Sequence, residues 1–97
     1  GLKIVLAHPG DGENFIRRLE LVAAHPNLYL DLSGTGIDRY GMLRRAIDMA
    51  GKRKILFGSD YPVNNPAVYV HAVRFEPLTN SEREAVLHAN FLRLTGQ

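Results

Sequence analysis

Two residues with reactive side chains stand where a short apolar run gives way to chain breakers. Asp60 follows the run at residues 55–57 and the Gly58-Ser59 step, and it precedes Pro62 and the Asn64-Asn65-Pro66 cluster. His8 closes the run at residues 4–7, directly before Pro9-Gly10. In parallel α/β folds, ligands sit beyond the carboxyl ends of the strands, where loops are free to carry reactive groups. Asp60 and His8 both stand at that kind of position. Spacing alone equally allows Asp60 to be a helix cap or a solvated turn aspartate.

A second pair lies on the alternating stretch at residues 27–33. Leu28, Leu30 and Leu32 face one way there, while Tyr29, Asp31 and Ser33 face the other. Turned towards an interior, Asp31 and Ser33 would line the mouth of a site and bind substrate. A strand with one solvated face fits the same pattern. Other candidates fall away. Ser33-Gly34-Thr35-Gly36 lacks the third glycine of a dinucleotide fingerprint, because Arg39 holds that position. Asp11-Gly12-Glu13 lacks the ligand spacing of a calcium loop. His25, His71 and His88 read as surface or packing histidines, and Met42 and Met49 as packing.

These residues need a scaffold, and the periodicity supplies one. A strand ending at His8 leads to a helix opened by Asp11, with Phe15, Ile16, Leu19, Val22 and Ala23 on one face. His25-Pro26 ends that helix. After the alternating strand, a helix capped by Asp38 carries Met42, Leu43, Ala46, Ile47 and Ala50, and Gly51 stops it. The strand before Asp60 follows. Next, Asn65 as N-cap and Pro66 as first residue open a helix that runs to about Glu76. Thr79-Asn80-Ser81-Glu82 is a capping box for a last helix ending at Gly96.

The fold class is therefore α/β: three successive βα units plus a terminal helix, with a parallel sheet. The strands should lie in sequence order, with His8, Ser33 and Asp60 at one edge of the sheet and both outer strands unpaired. A complete (β/α)₈ barrel takes about 250 residues, so three units take about 95. Half of a doubly wound sheet fits equally.

Composition narrows the function classes. The chain has 97 residues, 45% hydrophobic and 23% charged, which suits a single small core. A formal charge of +2 gives no basis for a nucleic-acid partner. The absence of cysteine removes disulfides and thiolate zinc sites. No run approaches membrane-spanning length and no signal peptide is visible, so the expectation is a cytoplasmic protein with no membrane partner. Gly1 followed at once by an apolar strand reads as a piece of something longer.

Four stretches resemble the metal-dependent amidohydrolase superfamily, in the amidohydrolase-related group that includes aminocarboxymuconate-semialdehyde decarboxylase. They are residues 3–10, 26–34 (PNLYLDLSG), 54–62 (KILFGSDYP) and 88–96 (HANFLRLTG), in family order across nearly the whole chain. The resemblance implies that residues 1–97 form one partial domain, strands six to eight of a (β/α)₈ TIM barrel. It makes Asp60 the strand-eight aspartate, a metal ligand and general base. It makes His8 the strand-six histidine, which assists catalysis in one-metal members and ligates a second metal in others. Asn90 falls on a position that packs the last helix.

The implied protein is a metal-dependent hydrolase or decarboxylase acting on a small carbonyl or carboxylate compound through a metal-activated water, with zinc as the expected divalent metal. Its partners would be the small-molecule substrate and the remaining barrel strands of the parent chain. The family's His-x-His on strand one and its strand-five histidine are not in this chain, and His8-Pro9-Gly10 stands where many members have His-Gly-Gly. The alternative is a stand-alone three-unit α/β module that binds a partner and catalyses nothing.

Overall fold

A computed structural model of the chain, describing residues 1–34, 36–37 and 39–97, builds one parallel sheet in the order β1-β2-β3. The middle strand, β2 (Leu28–Asp31), pairs with β1 (Ile4–Leu6), setting Leu6 beside Leu30. On its other side it pairs with β3 (Ile55–Leu56), setting Asp31 beside Leu56. The alternation on β2 sorts its side chains as expected: Leu30 and Leu32 are buried, and Asp31 is half-buried on the opposite face. The strands are shorter than the sequence suggested. β1 stops at Leu6, so His8 lies in the loop beyond it, where a positive φ ends the extended geometry.

Helices cover the leucine face. Helix α1 (Gly12–Ala24) buries Phe15, Leu19 and Val22, while α2 (Met42–Ala50) buries Leu43, Ala46 and Ile47. Helix α3 (Pro66–Phe75) adds Tyr69 and Val73. The terminal helix is α4 (Asn80–Glu84), a π-helical turn (Ala85–Ala89) and α5 (Asn90–Leu94), contributing Ala85 and Val86. Burial of each large apolar side chain contributes about 1.5–3 kcal/mol, which makes this face the source of the fold's stability. No helix among the described residues is long and apolar enough to cross a membrane.

Both outer strands lack a second strand partner, as expected, but the two edges differ. Leu56 O accepts from Leu32 N, so the backbone groups of Ile55 and Phe57 point away from β2. Asn90, fully buried, donates from Nδ2 to Ile55 O at 2.7 Å and to Lys52 O at 2.6 Å. The π turn directs Val86 O to Phe57 N at 3.1 Å. The terminal helix therefore covers that edge. On β1, Ile4 and Val5 point to opposite faces, yet both are exposed, at 40% and 44%.

Caps fix the helix starts, not all by the expected residues. Asn65 Oδ1 accepts from Ala67 N, and the Thr79–Glu82 capping box is complete. Asp11 occupies the N-cap of α1 but makes no side-chain cap bond; its carboxylate lies 3.7 Å from Arg39. Asp38, expected to cap α2, lies outside the described residues. Instead Glu76, 4% exposed, reaches across from the end of α3 and accepts from Gly41 N (3.0 Å) and Arg44 N (2.8 Å). Glu76→Ala leaves both donors without a partner, so the denaturation midpoint should fall by the equivalent of about 1–3 kcal/mol. Glu76→Gln, which keeps an acceptor oxygen, should fall less.

Arg44 also clamps Glu82 with two parallel bonds of 2.8 and 2.7 Å. This guanidinium, helped by the Thr79 backbone N–H, pulls the Glu82 carboxyl from its ordinary 4.5 down to about 2. A carboxyl depressed in the folded state stabilises the fold above its unfolded value, and that stabilisation drains as pH falls. Stability should therefore decline between pH 4.5 and about 2, and Glu82→Gln should flatten that part of a denaturation-versus-pH curve.

Candidate active site

His8 and Asp60 reach the same place from different strands. His8 follows β1 by one residue beyond Ala7, and Asp60 follows β3 through Phe57, Gly58 and Ser59. Both adopt left-handed backbone, with φ of 69° and 63°. Such a conformation costs a non-glycine residue on the order of 1–3 kcal/mol and persists where the surroundings impose it, commonly at functional sites. At Asp60 the imposing element is a turn: its carbonyl accepts from Val63 N at 2.8 Å and Asn64 N at 3.2 Å. The two side chains line one cleft of about 630 Å³, shared with Gly34, Asn64, Asn65 and Tyr69.

The loop after β2 holds the histidine ring. His8 Nδ1 lies 2.8 Å from Ser33 O and 3.1 Å from Ser33 Oγ. A carbonyl oxygen only accepts, so the shorter contact favours the tautomer with the hydrogen on Nδ1 and the lone pair on Nε2, provided the Ser33 hydroxyl does not donate to the same nitrogen. Ser33 is buried, and both its backbone N–H and its hydroxyl donate to Asp31 Oδ1. Asp31 and Ser33 are thus brought to His8 and stand behind its ring; neither is among the residues lining the cleft. Gly34 is required at its position, since its φ is +78° and a Cβ there would meet His8 Nδ1 at 2.5 Å. The Tyr69 hydroxyl donates to Gly34 O, fastening this loop to α3.

Some of these residues had no functional signal in the sequence. Asn64 and Asn65 stand in the loop after Asp60, a position that could have marked them; Asn65 was legible only as a cap. Tyr69 has no local signal, since only the fold brings α3 over the loop after β2.

The donor set suits a divalent cation in part. The Asp60 carboxylate is exposed, and no described residue donates a hydrogen bond to it. The Nε2 atom of His8 is a borderline nitrogen donor of the kind zinc accepts. Among the described residues there is no group of three or more His, Asp or Glu side chains that could hold a metal ion. Catalytic zinc takes three protein ligands, so a complete site needs donors from elsewhere.

The sequence model of one family, described as amidohydrolase, matches residues 1–96. No curated protein matches the chain. Among solved structures, 5-carboxyvanillate decarboxylase from Sphingomonas paucimobilis is 23% identical, with a TM-score of 0.74 over 96% of this chain and 33% of that one. A dihydroxybenzoic acid decarboxylase from Polaromonas sp. JS666, with bound manganese and the inhibitor 2-nitroresorcinol, is 22% identical, with a TM-score of 0.76 over 98% and 34%. An amidohydrolase from Burkholderia multivorans with bound zinc is 23% identical, with a TM-score of 0.73 over 95% and 43%. These likenesses are of fold, and the chain spans about a third of the length of the two decarboxylases.

Proposed function

The chain belongs to the amidohydrolase family, and from that premise we propose that it forms strands six to eight of a barrel enzyme that hydrolyses or decarboxylates a small carbonyl or carboxylate compound with a divalent metal, zinc in this reading. The observation that carries the proposal is the convergence of His8 and Asp60, from separate strand ends and both in left-handed backbone, on one cleft. The exposure of both faces of β1 supports the partial barrel, because parallel sheets are ordinarily covered on both faces.

Asp60 would hold the metal through its carboxylate, and His8 Nε2 would hold a second one if the parent enzyme uses two. When bound, a divalent cation supplies a Lewis acid that polarises a substrate oxygen and acidifies water. In hydrolysis Asp60 would take the proton of the attacking water and pass it to the leaving group; in decarboxylation it would take a proton from water and deliver it to the carbon that loses CO₂. In a one-metal enzyme His8, with its proton on Nδ1, would instead accept a hydrogen bond at Nε2 and orient the substrate. Val63, Val68 and Tyr69 offer the carbon skeleton an apolar wall, and Asn64 offers an amide beside it.

The test is made on the parent protein, assayed for CO₂ release from small aromatic carboxylates and for hydrolysis of small amides and lactones. Activity should vanish on chelation and return with zinc or manganese. Turnover that persists after the metal is stripped would contradict the proposal.

A further inference from the structure

Building on the reading of His8 as a working residue of the cleft, we propose that Asp31 and Ser33 are positioning residues that act through it. By engaging the Ser33 hydroxyl, Asp31 leaves His8 only acceptors at Nδ1 and so locks the ring with its lone pair on Nε2. This assigns the two residues a task other than binding substrate.

The argument follows the donors. A serine hydroxyl has one hydrogen to give and two lone pairs. Left free at 3.1 Å from His8 Nδ1, it could donate to that nitrogen and favour the opposite tautomer, with the hydrogen on Nε2. Asp31 removes the choice, because its Oδ1 accepts the Ser33 hydroxyl and the Ser33 backbone N–H together. With that hydrogen committed, Ser33 O and Oγ can only accept from His8. The hydrogen bonds then run in one direction, from His8 through Ser33 to Asp31. Ser33 is 7% exposed, so water has little access to compete.

Packing supports the same arrangement. A Cβ on Gly58 would lie 3.3 Å from Asp31 Oδ1 and 3.4 Å from Ser33 Cβ, so the β3 loop presses on the brace from one side. Gly34 presses on the His8 ring from the other. Neither Asp31 nor Ser33 lines the cleft and the Ser33 hydroxyl hydrogen is spent, which leaves this pair poorly placed to bind substrate directly.

The test reads the tautomer itself. Two-bond ¹⁵N–¹H spectra of the histidine-labelled, metal-stripped parent protein, taken where imidazoles are neutral, should show His8 with its hydrogen on Nδ1. Asp31→Ala should shift it towards the Nε2–H form and lower kcat by ~10–100-fold with KM little changed, the usual scale for partners that orient a working histidine. Asp31→Asn keeps an acceptor oxygen and should retain the tautomer and most of the rate. Removing the freed hydroxyl, in Asp31→Ala/Ser33→Ala, should restore the Nδ1–H form, which a merely structural role for Asp31 does not predict.

An Nε2–H form in the wild type, or an unchanged tautomer in Asp31→Ala, overturns the proposal. A raised KM with unchanged kcat does so too, in favour of direct substrate binding. If Asp31→Ala does not fold, Asp31→Val takes its place with the same expected shift, and loss of the Nδ1–H form in Asp31→Asn or Ser33→Ala overturns the proposal. A tautomer that switches without any change in rate leaves the brace standing and contradicts instead the role given to His8 under the proposed function.

Discussion

Asp60→Asn in the parent enzyme should lower turnover by at least ~10²–10⁴-fold, the scale of a lost acid–base group. The substitution keeps the side chain's size and removes its charge and its capacity to take a proton. Asparagine also tolerates the left-handed backbone that Asp60 adopts at φ 63°, so the turn through Val63 and Asn64 should survive. Thermal stability should therefore stay close to that of the wild type while activity collapses. Metal content should fall as well if the carboxylate is a ligand. Near-normal activity in the purified variant, with its metal bound, would mean that Asp60 serves only the turn.

His8→Asn is the second large effect, and it separates two designs. Asparagine again suits the backbone, here at φ 69°, but it cannot supply the imidazole lone pair. In a one-metal enzyme, turnover should drop by ~10²–10⁴-fold while metal content holds. In a two-metal enzyme, about one metal per chain should be lost alongside the rate. Metal analysis beside steady-state kinetics distinguishes the two, and unchanged turnover would remove His8 from the mechanism.

Much of this architecture was legible because the signals are local. Breakers such as Pro9, Pro26 and Pro66 and the alternation of Leu28, Leu30 and Leu32 mark elements and faces without reference to the rest of the chain. The Thr79–Glu82 box does the same for the last helix. The order and parallel pairing of the strands then follow from helices between strands. What the sequence hid is long-range. Glu76 caps a helix that begins 34 residues earlier, at Met42. Asn90 and the π turn cover an edge of β3 that the pattern left open.

The site divides the same way. His8 and Asp60 were visible as polar residues after apolar runs, whereas their left-handed backbone depends on turns whose partners only the fold supplies. Asp31 and Ser33 were visible as sharing one face of their strand, but their place behind the imidazole depends on the register between β1 and β2.

The most direct test of the account is a crystal structure of the metal-loaded parent protein, with the ion located by anomalous scattering. The account predicts a metal within about 2.0–2.2 Å of an Asp60 carboxylate oxygen, the ordinary range for zinc and carboxylate. A metal bound only at residues remote from this cleft, with Asp60 facing solvent, would contradict it.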